Sequence, residues 1–158
     1  VTAADLVFER MIELAPVIVW DALVDPDLLD GWLGEVRVDP SAGRVFSVIP
    51  GATGVPVSCE LLASEPPGRL AVRAVDGRDF EFVLVEHRGG SRGTSTALRL
   101  RVRLDFDAAF AGGMRAAWEA SLDRLIDLLR GRPTDWAVVR GERDAVDDAS
   151  RSQRPPAS

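Results

Sequence analysis

One stretch of the chain is spelled like a nucleophile: Gly89-Gly90-Ser91-Arg92-Gly93 fits the G-x-S-x-G pattern. That pattern works by raising a serine on a sharp strand-to-helix turn, with a histidine later in the chain as base. Here a strand pattern follows the glycines, and the one histidine, His87, precedes the serine. A hairpin loop accounts for the glycines, and hydrolysis is set aside. Neither glycine pair opens a helix after a strand with a lysine following, which removes a phosphate cradle. The chain has no lysine at all, so Schiff-base catalysis is also removed. His87 and Cys59 each stand alone, so no metal and no cofactor is expected. Cys59 alternates with Val57, Leu61 and Ala63 and reads as a small buried hydrophobe. Arg99, Arg101 and Arg103 form a basic row with acidic residues nearby and no aromatics interleaved, the pattern of a solvated face. An enzyme would need a paired acid and base pointing into a pocket, for which only Arg10, Glu60, Glu86 and His87 remain as candidates.

The bulk properties narrow the partners. A chain of 158 residues, 46% hydrophobic and 28% charged, is most simply one globular domain with a core large enough to fold unaided. A formal charge of −6 disfavours nucleic acid and anionic membrane, both of which need a cationic face. One cysteine excludes an internal disulfide framework. No apolar run has the length of a membrane span, and the N-terminus lacks the pattern of a signal peptide. A cytoplasmic location is the resulting expectation.

Residue periodicity supplies the elements that would position any site. Phe110, Met114, Trp118, Leu122, Leu125 and Leu129 recur at steps of three and four, which holds them on one side of a helix over Phe110 to Arg130. Such a rod is about 30 Å long and must bury its stripe against something. Nearly everything before it alternates as strand. Asp5 to Leu14 is the first, with Leu6, Phe8, Ile12 and Leu14 on one side and Arg10 among them. An edge position or an ion pair explains Arg10 better than a ligand contact does.

Pro16 and the Asp25-Pro26 pair then start two short helices, Pro at the first turn and Asp25 as cap. Six further strands follow: Glu35 to Asp39, Gly43 to Ile49, Val55 to Ser64, Arg69 to Val75, Phe80 to His87 and Thr94 to Phe106. Asp76-Gly77 is the strongest hairpin turn among them. The expected architecture is α+β: a curved antiparallel sheet of about seven strands around the long C-terminal helix, with two short helices after strand one. Residues 1–131 form the domain. Residues 132–158 are a largely disordered tail, in which Trp136, Val138 and Val139 are left open between docking on the body, docking on another subunit and no role.

These residues also carry a resemblance. Ala15-Pro16, Val19-Trp20-Asp21-Ala22-Leu23, Asp25-Pro26 and Trp32-Leu33 resemble the opening signature of the SRPBCC, or START-like, superfamily. Gly43-Arg44-Val45-Phe46, Pro66-Pro67-Gly68-Arg69-Leu70 and Trp118 with Leu122, Leu125 and Leu129 are similar to its branch named after the activator of the heat-shock-protein-90 ATPase. The resemblance implies the helix-grip fold, with a cavity between sheet and last helix. Fold alone does not fix function.

Facing and fold together nominate a cavity lining of Arg10, Trp32, Phe46, Val48, Cys59, Phe82, Leu98, Leu100, Met114 and Trp118. Trp32 stands equally as core or lining. Small residues at Gly112, Gly113, Ala116 and Ala117 are read as leaving room beside the helix. The functional expectation is a module that binds a small, mostly apolar molecule, without catalysis. The alternatives are a co-chaperone acting through its surface and a polyketide cyclase-like enzyme.

Overall fold

In the computed structural model, residues 4–39, 41, 43–104 and 111–141 are described. Strand β1 spans Ala4–Ile12, helix α1 Pro16–Val24 and helix α2 Pro26–Leu29. Six strands follow: β2 Gly34–Val38, β3 Val45–Pro50, β4 Val57–Glu65, β5 Arg69–Ala74, β6 Asp79–Arg88 and β7 Thr94–Leu104. Helix α3 covers Ala111–Leu129. The seven-stranded, helix-gripping α+β architecture is therefore present. Phe106 and Phe110, the expected last residue of β7 and first of α3, lie outside the described residues, as do residues 142–158 of the tail.

The sheet order is β1-β7-β6-β5-β4-β3-β2, antiparallel at every joint. Strands two to seven are a meander, and β1 closes on β7. The two edge strands are thus neighbours in sequence, and α1 with α2 carries the chain between them. Both helix starts are set locally. Pro16 and Pro26 open the helices, where a missing N–H costs nothing, and the Asp25 carboxylate accepts from the Asp27 N–H at 2.9 Å.

Strand β7 shows how alternation becomes a core. Leu98, Leu100, Val102 and Leu104 are buried, while Arg99, Arg101 and Arg103 between them face solvent. The inner row joins Leu6, Phe8 and Ile12 of β1, Val19 of α1, and Leu122 and Leu125 of α3 in one apolar cluster. The outer row pairs with β1: Arg99 with Glu9 at 3.3 Å, Arg101 with Asp5 at 2.6 Å and Arg103 with Asp5 at 3.4 Å. The basic row is a solvated face, each cation matched across the strand pair. Ser91, of the G-x-S-x-G stretch, sits in the β6–β7 hairpin with its hydroxyl 3.2 Å from Glu13. A strand follows that loop, so no nucleophile elbow forms.

The Arg101 hydrogen bond holds the Asp5 carboxyl below its usual range, partial burial opposing it and the charges of Arg101 and Arg103 adding to it. A carboxyl lowered on folding contributes stability above its unfolded pKa of about 4. That contribution is lost as pH falls through the lowered, folded value. Melting temperature followed from pH 6 to pH 2 should therefore drop in acid, and Asp5→Asn should flatten the drop. An equally steep curve in the variant would assign the acid loss to other groups.

Two facing assignments differ from the sequence pattern. In β4 a bulge at Leu62 makes Leu61 pair with Val72 and Ala63 with Ala71, so Ala63 turns to the outer side and Ser64 takes the inner one. Strict alternation cannot anticipate an inserted residue. On α3, Gly112, Gly113, Ala116 and Ala117 are exposed, and a Cβ at either glycine would meet nothing within 4 Å. Their smallness opens no space beside the sheet, because they lie on the outward side of the helix.

Candidate ligand cleft

The inner surface of the sheet is divided. Over β1 and β7 it is closed by the apolar cluster. Over β2 to β6 it is concave and partly open, a cleft of about 330 Å3. Its floor is the inward row of each strand: Val36 and Val38, Phe46 and Val48, Val57, Cys59 and Leu61, Leu70, Val72 and Ala74, then Phe80 and Phe82. Leu23, Leu29, Trp32 and Leu33, from the two short helices and the turn after them, make one wall. Trp118 of α3 makes another, its ring 5.3 Å from Phe80 and 6.5 Å from Phe82 between centroids, both in tilted or edge-on contact.

Of the ten nominated residues, Trp32, Phe46, Val48, Cys59, Phe82 and Trp118 border this cleft. Trp32 is both core and lining: it is 1% exposed, and its indole N–H donates to the Ala22 carbonyl at 2.8 Å. Leu98 and Leu100 face inward as expected but on β7, where the helices already cover the sheet, so they belong to the closed core. Arg10 lies on edge strand β1, opposite Leu98, and its guanidinium donates to the Glu9 carbonyl. Met114 stands just outside the lining, its sulfur 4.0 Å from Nη1 of Arg78. Glu60, Glu86 and His87 are exposed and do not border the cleft.

Arg78 went unrecognised in the sequence. It is the one charged side chain bordering the cleft among the described residues. It follows the Asp76-Gly77 turn, where Gly77 has φ +93°, a conformation that favours glycine. Two residues before Phe80, it shares the parity of the inward row Phe80, Phe82, Leu84, and that parity was the available signal. Asp76 grips it, with Arg78 Nε 3.0 Å from Oδ1 and 2.8 Å from Oδ2. Burial pushes the Asp76 carboxyl up, but the Arg78 hydrogen bonds and charge outweigh it and hold the group below its usual range. Burial also pushes the Cys59 thiol up, away from reactive thiolate. No group of three or more His, Cys, Asp or Glu side chains able to hold a metal occurs among the described residues.

The rim is tied from outside. The Gly51 N–H donates to the Leu33 carbonyl at 3.0 Å, and Thr134 N–H to the Gly31 carbonyl at 2.8 Å. Trp136 then lies across Gly51, where a Cβ would collide with its ring, and donates to the Asp30 carbonyl at 2.6 Å. Arg124 covers the indole, 5.3 Å from its centroid. Of the three possibilities for Trp136 the structure shows docking on the body, beside Pro50 of the cleft rim.

A curved meander gripping a terminal helix across an apolar cleft defines a START-like, helix-grip protein. The family model of the Activator of Hsp90 ATPase homolog 1-like proteins matches residues 14–130, and the chain belongs to that family. Among solved structures, protein MLL2253 from Mesorhizobium loti is similar at 26% identity and a TM-score of 0.65, over 83% of this chain and all of that one. CalU16 from Micromonospora echinospora matches at 24% identity and TM-score 0.68, over 89% and 84% of the two chains. A homolog-1-like protein of the same family from Aeromonas hydrophila matches at 23% and 0.65, over 81% and 93%. The last two show likeness of fold alone. Among curated proteins none matches the chain. No helix among the described residues is long and apolar enough to cross a membrane.

Proposed function

We propose that the protein binds a small, mostly apolar molecule in the cleft between β2–β6 and the helices. The observation that carries this reading is the lining: apolar side chains from eight elements, α1, α2, β2 to β6 and α3, converge there, with one charged group among them. A volume of about 330 Å3 suits a molecule of one to three fused rings or a medium acyl chain. The reading assigns the cleft a carrier or sensor role, with no acid–base pair bordering it among the described residues. Family membership favours a second reading, in which the surface meets a chaperone. That reading does not require the cleft to be occupied.

Titration with N-phenyl-1-naphthylamine, a neutral apolar fluorophore, separates the two. Saturable one-site binding is expected, weakened about tenfold by Val48→Phe or Val72→Phe, each of which sets a ring into the cleft. Absence of saturable binding by natively folded protein would defeat the cleft reading. Native mass spectrometry of the purified protein would show any molecule carried through purification.

A further inference from the structure

Arg78 sits in an otherwise apolar cleft, and its surroundings are unusual for a guanidinium that only packs. Its side chain is 17% exposed, against 38% for Asp76. Its backbone is pinned at both ends: the N–H donates to Asp76 Oδ1 at 3.2 Å, and the carbonyl accepts from the Ala74 N–H at 2.8 Å. The guanidinium carbon lies 5.6 Å from the Phe80 ring centroid. Asp76 takes the Nε edge. Among the described residues, the contact made by Nη1 is the Met114 thioether at 4.0 Å, a weak acceptor. Guanidinium donors therefore remain at the cleft with no strong acceptor among the described residues.

Charge decides which ligand group they suit. Asp76 already neutralises Arg78, so a carboxylate placed there would bring a second negative charge into a poorly screened site. The chain's formal charge of −6 adds to that penalty. A neutral oxygen accepts the same hydrogen bonds without it. We propose that the Asp76–Arg78 pair selects neutral ligands: flat or chain-like apolar molecules with a carbonyl oxygen at one end, which Arg78 binds. This rests on the cleft being the binding site, and it specifies the ligand's chemical class.

Three probes of nearly one shape test it: 2-acetylnaphthalene, 2-isopropylnaphthalene and 2-naphthoate, each competed against the bound fluorophore. In Arg78→Met, the ketone's affinity relative to the hydrocarbon's should fall about tenfold, the scale of a hydrogen bond to a charged donor. The ratio is the readout because Arg78 itself borders the cleft, so its loss can shift both affinities together. In Asp76→Asn, naphthoate should gain about tenfold on the ketone, because the cation is no longer neutralised. This second variant keeps Arg78 and decides the matter if Arg78→Met fails to fold. An unchanged ketone-to-hydrocarbon ratio in Arg78→Met, or naphthoate as the tightest ligand of the wild type, would overturn the selectivity while leaving the cleft reading intact. If none of the three displaces the bound fluorophore, the selectivity fails and the cleft reading stands; if the fluorophore itself does not bind natively folded wild type, the cleft reading fails, and this proposal with it.

Discussion

Replacing Trp32 by alanine should remove about 4 kcal/mol of folding stability. Three losses combine at this residue. The indole is 1% exposed and belongs to the main apolar cluster, so its truncation leaves a large void. The turn joining α2 to β2 cannot collapse into that void, since the Gly51 N–H holds Leu33 and the Thr134 N–H holds Gly31. The Ala22 carbonyl also loses the indole N–H that now meets it at 2.8 Å. Domains of this size have about 5–15 kcal/mol in all, so the variant would stand near the edge of folding. Urea unfolding checks this through the midpoint, with the slope unchanged. Trp32→Phe should cost less than half as much, because most of the volume stays and mainly the hydrogen bond is lost. A loss under about 1 kcal/mol for the alanine variant would mean that the ring fills space without supporting the turn.

Gly34→Ala should be nearly as damaging, for a reason confined to the backbone. Gly34 has φ +151°, and a Cβ there would lie 2.8 Å from both the Gly51 nitrogen and the Pro50 Cα, and closer still to the Ile49 carbonyl oxygen. All three are main-chain atoms, which cannot swing aside as a side chain can. Dihedral strain of about 1–3 kcal/mol and overpacking of similar size add to about 3 kcal/mol or more. The residue pairs with Pro50 at the end of the β2–β3 ladder, beside the rim that Trp136 covers. The damage should therefore also reach the cleft, with N-phenyl-1-naphthylamine binding weakened in whatever fraction remains folded. Equilibrium unfolding of Gly34→Ala beside Gly54→Ala is the direct comparison. Gly54 has φ +68° but nothing within 4 Å of an added Cβ, so its substitution carries the strain without the collision. Equal losses at the two sites would show that conformation alone, and not close approach, governs Gly34.

Much of the fold was legible because alternation and helical spacing are short-range signals. Leu98, Leu100, Val102 and Leu104 announce their facing within one strand, and Leu122 and Leu125 within two helical turns. The bulge at Leu62 was not legible, since its effect is felt only in the pairing with β5. The candidate site divides along the same line. Phe46, Val48, Cys59 and Phe82 face inward on strands that the helices leave uncovered, whereas Leu98 and Leu100 face inward where α1 and α3 close the sheet. Nothing local distinguishes the two groups.

The chain's own pattern of residues determined the strands, the helices, their caps and turns, and which side of each element is apolar. Each of those depends on neighbours within about seven positions. Tertiary structure alone decided where the apolar surface stays open, that Trp136 returns to cover Gly51, and that Arg78 ends in the cleft held by Asp76. Those outcomes depend on where a helix lies across a sheet and where a loop returns. Contacts of that kind join residues far apart in the chain, and no local period encodes them.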